Sequence, residues 1–282
     1  MVIFKLLERY NAPIFPVIVF NYGTCLVFGF FLLPAPEKFH LVATENWFPF
    51  ALFIGMMFIL LFNLIGTSAQ KNGISVTAVA QKMSLAIPVV AAYFIHHEQS
   101  INIYKGIGIV LAIAAVVLSS IRKEEIEKQS DNSNKGLILL ISLIIFLGSG
   151  LVDTVIDYTQ SNYLDDTSQN TFLTTLFGTA FLLGFLKLLF DLVFKGLKFR
   201  FKRVVLWGLI LGLPNYGSIY FLIKALKYAN FESSALFPLN NVGIVMASTL
   251  AAMFLFNEKL SKLNILGVLL SIAAIALISF GE

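Results

Sequence analysis

Apolar residues fall in nine long, almost uninterrupted stretches, at 13–34, 47–69, 74–95, 103–121, 136–159, 170–194, 204–226, 232–256 and 263–280. Polar residues gather in the intervals between them. At 1.5 Å per residue, a run of about 20 residues spans the roughly 30 Å of hydrocarbon in a bilayer. Hydrocarbon offers the backbone no hydrogen-bond partner, so a spanning segment must be a helix or join a closed barrel. Barrel strands are short and alternate apolar with polar. These runs are long and continuous. The pattern predicts an all-α integral membrane protein with nine full transmembrane helices. A further apolar piece, Val2–Tyr10, is too short to span and reads as the stub of a tenth, truncated helix.

Composition agrees with the pattern. The 282 residues are 58% hydrophobic and 13% charged, with a mean hydropathy of +0.85. A water-soluble chain of this size needs more polar surface than that. The single cysteine, Cys25, lies inside an apolar run and is expected to pack as a small hydrophobe. The segment Met1–Asn11 carries Lys5, Glu8 and Arg9 and lacks a signal-peptide cleavage pattern.

Net charge is +4, but its distribution matters more. Lys5, Arg9, Lys71, the cations of Arg122–Lys135, the basic loop Lys195–Arg203, Lys259 and Lys262 fall on one face. Lys38, Lys105, Lys224 and Lys227 fall on the other. The first face is far richer in cations, which places it in the cytoplasm. The expectation is a multi-pass protein of the cell (plasma or inner) membrane, N-terminus cytoplasmic and C-terminus outside. Trp47 and Trp207 sit near span ends, where indoles favour the interface.

Two segments resemble each other: NGISVTAVAQKMSLAIPVVAAYFIHHEQSINIYKGIGIVLAIAAVVLSS (72–120) and NFESSALFPLNNVGIVMASTLAAMFLFNEKLSKLNILGVLLSIAAIALIS (230–279). Each opens with small and hydroxyl residues and reaches Glu98 or Glu258 at the end of its span. Each then enters a Gly-containing span that finishes in Ala, Ile, Val and Leu. The matched spans are third and eighth. An odd separation of five makes the copies point in opposite directions, an inverted repeat. The predicted organisation is a first repeat over 1–121, a polar linker over 122–135 and a second repeat over 136–282. Inverted repeats of this kind place a substrate site near the midplane.

At these residues the chain resembles the drug/metabolite transporter superfamily, in particular its EamA-like, ten-helix family. The resemblance covers nearly the whole chain. FLFNEKLSKLNILGVLLSIAAIALI is similar to the family's acidic residue, short loop and Gly-led last helix. TSAQKNGISVTAVAQKMSLAIPV and PNYGSIYFLIKAL are also similar to it. Asn257 and His97 stand where the family usually has Gly before the Glu. The resemblance implies a secondary carrier that moves a small metabolite or drug-like solute by alternating access through a central cavity. A lipid or lipid-linked-intermediate flippase is the alternative it leaves open.

Polar residues within the spans are the candidate site. Lys82 is placed near mid-bilayer, where an ammonium costs at least about 2.5–3.5 kcal/mol on insertion scales. It either binds an anionic substrate group or responds to proton coupling, or else pairs with a carboxylate or backbone carbonyls that lock helices together. Pro88 removes a backbone donor and is expected to leave the Ser84 carbonyl free beside it. The repeat sets Asn240 opposite Lys82, with Asn241 and Pro238 adjacent. Pro214, Asn215, Tyr216, Ser218 and Tyr220 form a polar and aromatic patch. These residues either line the cavity or make interhelical contacts. Asn63 and Gln81 are further cavity candidates. Asp153 is the proton-coupling candidate, set deeper than Asp157, which is expected to be solvated near the outer end. Lys187 and Asp191, four apart, are expected to form a local ion pair.

No Walker-type phosphate loop is present, so nucleotide hydrolysis is not expected. His96-His97-Glu98 lacks the spaced second histidine of a zinc protease. Gly148-Ser149-Gly150 has no histidine at its depth and reads as close helix packing. No enzyme activity, cofactor, metal or nucleic-acid partner is expected. The expected partners are a small-molecule substrate, the bilayer and a coupling proton.

Overall fold

The apolar stretches correspond in order to helices in the structure, a computed structural model that describes residues 7, 12–33, 42–71, 77, 81–95, 102–120, 135–228, 232–256 and 262–281. Among the described residues nine α-helices follow one another, with no strand. They are α1 Ile14–Phe31, α2 Phe48–Lys71, α3 Ala86–Ile95, α4 Ile103–Ser120, α5 Lys135–Tyr163, α6 Gln169–Phe194, α7 Phe201–Tyr228, α8 Ser233–Phe256 and α9 Lys262–Gly281. Five stretches are long and apolar enough to cross a membrane: Ile14–Phe31, Phe48–Ser68, Leu140–Tyr163, Gln169–Phe194 and Phe201–Tyr228. Shorter apolar helical runs lie at Gln81–Ile95, Gly106–Ala115 and Ile265–Ala274. The three histidines, Glu98, Glu258 and nearly all of the N-terminal stub and the 122–135 linker lie outside the described residues.

Local chemistry sets the helix ends. Pro13 has an extended backbone before α1, and Pro16 falls in the first turn, where a missing N–H costs nothing. Before α6, the Asp165 carboxylate accepts from the Thr167 and Ser168 backbone N–H groups at 3.0 and 2.7 Å and from the Thr167 hydroxyl at 2.8 Å. After α6, Gly196 adopts φ 61°, and the Asp191 carbonyl accepts from both Lys195 and Leu197. A left-handed residue just past the helix is a common stop, and glycine takes it without strain.

The chain divides into two compact units. The first comprises residues 1–67 and 158–227. Its most extensive helix pairing is α1 on α6. Tyr22, Phe58, Phe62, Phe177 and Tyr216 make an aromatic core, and the Tyr22 hydroxyl donates to the Phe58 carbonyl at 3.1 Å. Small residues allow the helices to approach. A Cβ on Gly55 would collide with the Leu176 carbonyl oxygen, and one on Gly212 would lie 2.8 Å from the Asn21 carbonyl oxygen. Cys25 is fully buried, as its setting implied, and its thiol donates to the Gly212 carbonyl at 3.2 Å. Trp47 is buried with its ring edge-on to Phe172.

The second unit comprises residues 68–157 and 228–282. Here α4 packs along α9, and α8 touches α3, α4 and α9. Ala112 and Ala115 of α4 and Ala274 of α9 are fully buried, so small side chains again bring helices close. Gly150 lies against Ile87, whose Cδ1 would be 2.5 Å from an added Cβ. This fits the packing role inferred for the Gly148–Gly150 run.

Large apolar side chains also stand outward. Phe31, Val193, Phe194 and Phe221 are each more than two-thirds exposed. Such a surface is unfavourable in water and ordinary against lipid.

Candidate functional site

The second unit holds the buried cation. Residues Gln81–Met83 are helical, Ser84 and Leu85 form a turn, and α3 resumes at Ala86. The break falls at the residues that precede Pro88, because proline lacks the N–H that would bond four residues back and its ring crowds that carbonyl. The Ser84 carbonyl is not left free as expected. It accepts from the Ile87 N–H at 3.0 Å, a tighter three-residue bond. The Ser84 hydroxyl in turn donates to the Gln81 carbonyl at 2.6 Å. Pro214 and Pro238, by contrast, lie inside α7 and α8 without interrupting them.

Lys82 Nζ donates to Asn241 Oδ1 at 2.9 Å. The other side of that amide, Nδ2, donates to the Phe237 carbonyl at 3.1 Å, which fixes the oxygen toward the ammonium. Asn240, the residue set opposite Lys82 by the repeat, is exposed, and its neighbour makes the contact. The two segments match only to within a residue or two, and a helix turns 100° per residue, so a one-residue slip changes the face. Asp153 and Lys82 are each within the other's electrostatic range, but no ion pair joins them. One turn along α5, Asp157 is 1% exposed and accepts from the Ser233 hydroxyl at 2.8 Å. This corrects the expectation that Asp157 is solvated: the start of α8 covers it, while Asp153 is half-buried.

The remaining candidates lie in the first unit. Asn215 Nδ2 donates to Asn21 Oδ1 at 3.3 Å and lies 3.9 Å from the Cys25 thiol. Tyr216 is buried, edge-on to Phe28 and stacked on Tyr220. Tyr220 is half-buried, its ring facing Lys224 Nζ at 5.5 Å and its carbonyl accepting from Gln169 Nε2 at 3.2 Å. The Tyr216 hydroxyl and the Asn21 amide nitrogen are buried with no hydrogen-bond partner. Ser218 faces outward. Asn63 is half-buried in α2, and its carbonyl accepts from the Thr67 hydroxyl at 2.7 Å. The candidates thus fall into two groups, one per unit. Asn21 and Gln169 were missed by the sequence reading. The signal for Asn21 was the one used for Asn215, an amide inside an apolar run.

Two other features bear on what the site can do. An apolar groove of about 450 Å³ runs along the first unit, lined by α1, α6 and α7 residues such as Phe20, Leu26, Val27, Phe31, Phe181 and Leu213. It contains none of the predicted site residues. Lys187 pairs with Asp191 at 2.6 Å, as the i,i+4 spacing implied, and Lys195 joins the same carboxylate at 2.7 Å.

Known proteins place this arrangement. An uncharacterized protein of Haemophilus influenzae is 29% identical over 279 residues, covering 97% of this chain and 91% of its own. A protein of known crystal structure superposes with a TM-score of 0.70 over 99% of this chain and 93% of its own, at 11% identity. At that identity the likeness is one of fold. Residues 134–280, more than half of the chain, match the model of the EamA-like transporter family. The chain belongs to that family and is a multi-pass membrane transporter of the drug/metabolite type.

Proposed function

We propose that the protein is a secondary carrier that moves a small metabolite or drug-like solute by alternating access, with nine helices crossing the cell membrane as two inverted repeats. The observation that carries this reading is the Lys82 ammonium on a broken helix. It is held by one neutral oxygen, with a carboxylate in range but unpaired to it. A direct ion pair would neutralise the cation, and a single neutral oxygen does not. A cation kept for use retains capacity for a substrate's anionic group, and Asp153 then serves as the coupling carboxylate.

The helix pairings support the repeat. α1 meets α6, α3 meets α8 and α4 meets α9, each pair five helices apart. Two inverted copies related by a two-fold axis bring equivalent helices together near that axis. Asn215, Tyr216 and Tyr220, with the buried donors of Tyr216 and Asn21, are aromatic and polar groups of the kind that line solute sites, gathered in the first unit. Gln81, Asn63, Ser218, Asn240 and Asn241 are further lining candidates. The Lys and Arg distribution supports a cytoplasmic N-terminus.

A flux assay in proteoliposomes tests the proposal, using whichever member of a metabolite panel most raises the melting temperature. Lys82→Ala is expected to abolish flux while the protein is still made and folded. Unchanged flux removes Lys82 from the site. The apolar groove favours one second reading, a lipid flippase, because its apolar lining suits an acyl chain. Scrambling of a fluorescent lipid without solute flux would support that reading instead.

A further inference from the structure

The connection from α6 to α7 carries Lys195, Lys198, Arg200, Lys202 and Arg203 in nine consecutive residues. The nearby carboxylate, Asp191, is already taken by Lys187 and Lys195. Lys198, Arg200 and Lys202 are exposed, and among the described residues their side chains have no hydrogen bond, ion pair or ring contact. Beside them Val193, Phe194 and Phe201 are 72%, 73% and 61% exposed. A soluble anion would satisfy the cations but would account for nothing about the apolar side chains beside them. A bilayer surface satisfies both, with rings at the acyl boundary and cations reaching phosphodiesters. We propose that Lys198, Arg200 and Lys202 form a headgroup site for an anionic phospholipid, whose chains lie against Phe194 and Phe201. The site does not depend on what the protein carries.

The test uses the full chain in phosphatidylcholine vesicles containing brominated phosphatidylglycerol or brominated phosphatidylcholine. Quenching is read at tryptophan. Trp207, one turn beyond Arg203, is the accessible reporter, because Trp47 is 2% exposed. The anionic lipid is expected to quench more at equal mole fraction. The preference should weaken about fivefold per cation removed and vanish in the triple variant Lys198→Gln/Arg200→Gln/Lys202→Gln. Unchanged melting of the triple variant in phosphatidylcholine alone shows that it folds. If it does not fold, Lys202→Gln and a salt titration of the wild-type protein serve, and both should lower the preference. Equal quenching by the two lipids in the wild-type protein, or a preference that survives neutralisation, overturns the site. So does displacement by inorganic phosphate but not by chloride at matched ionic strength, which would mark a soluble-anion site.

Discussion

An ammonium among apolar helices needs an acceptor, and Asn241 supplies it. Asn241→Leu removes the acceptor and leaves the cation uncompensated, so it is expected to destabilise the protein by about 1.5–3 kcal/mol, read as a lower midpoint of thermal or denaturant unfolding. Ser233→Ala should cost a similar amount, since it strips a donor from the buried Asp157 carboxylate. Asp165 lies outside the spans and gives a pH signature. Its hydrogen bonds, first with the Ser168 hydroxyl, then with the Ser168 and Thr167 backbones and the Thr167 hydroxyl, lower its pKa from 3.8 to about 2. A depressed folded value means that the unfolded chain takes up the proton first. The stabilisation is complete above the ordinary value and is lost as pH falls from 3.8 through about 2. Unfolding midpoints measured across that window should drop for the wild-type protein, and Asp165→Asn should flatten the dependence. Sequence showed that Lys82 needed a partner, because charge at that depth is costly whatever surrounds it. It did not show which amide would serve or which of Asp153 and Asp157 would be covered. Both depend on helix rotation, which apolar runs without a polar face leave unmarked.

Helix existence was readable because hydrocarbon length fixes a run of about 20 residues. Each of the nine apolar stretches contains a helix among the described residues, and five of these helices are long and apolar enough to cross a membrane. The break at Ser84–Leu85 was only half readable. Pro88 announced a disturbance, but the way the Ser84 carbonyl is satisfied depends on the local turn. Pro88→Ala restores an N–H that can bond Ser84, and should extend α3 backward through the break, seen as increased amide protection from hydrogen exchange over Ser84–Ile87. Contrary behaviour, with protection unchanged, would detach the break from the proline. Close helix approach makes a second prediction. At Gly55 an added methyl meets a backbone oxygen, which cannot rotate away as a side chain can. Gly55→Ala is expected to cost about 1–3 kcal/mol by overpacking. Gly217→Ala, where the nearest neighbour is 3.9 Å away, should be close to neutral in the same melting assay.

Each compact unit draws helices from both sides of the polar linker, with α1, α2, α6 and α7 supplying one and α3, α4, α8 and α9 most of the other. Under a five-helix repeat these are matching sets: α1 and α2 correspond to α6 and α7, and α3 and α4 to α8 and α9. Hydropathy alone could not have shown which helices share a compact unit, since it marks where apolar runs lie and not which of them meet. The family membership makes the protein a transporter. The claim that most needs a test is that Lys82 sits on a path opened to each side of the membrane in turn. The chain has a single cysteine, buried against Gly212, so Cys25→Ala gives a thiol-free background. In sealed, oriented vesicles, Lys82→Cys in that background should react with a membrane-impermeant maleimide added to either face. Reaction from one face only, or from neither while a lipid-soluble maleimide succeeds, would contradict an alternating path at this residue.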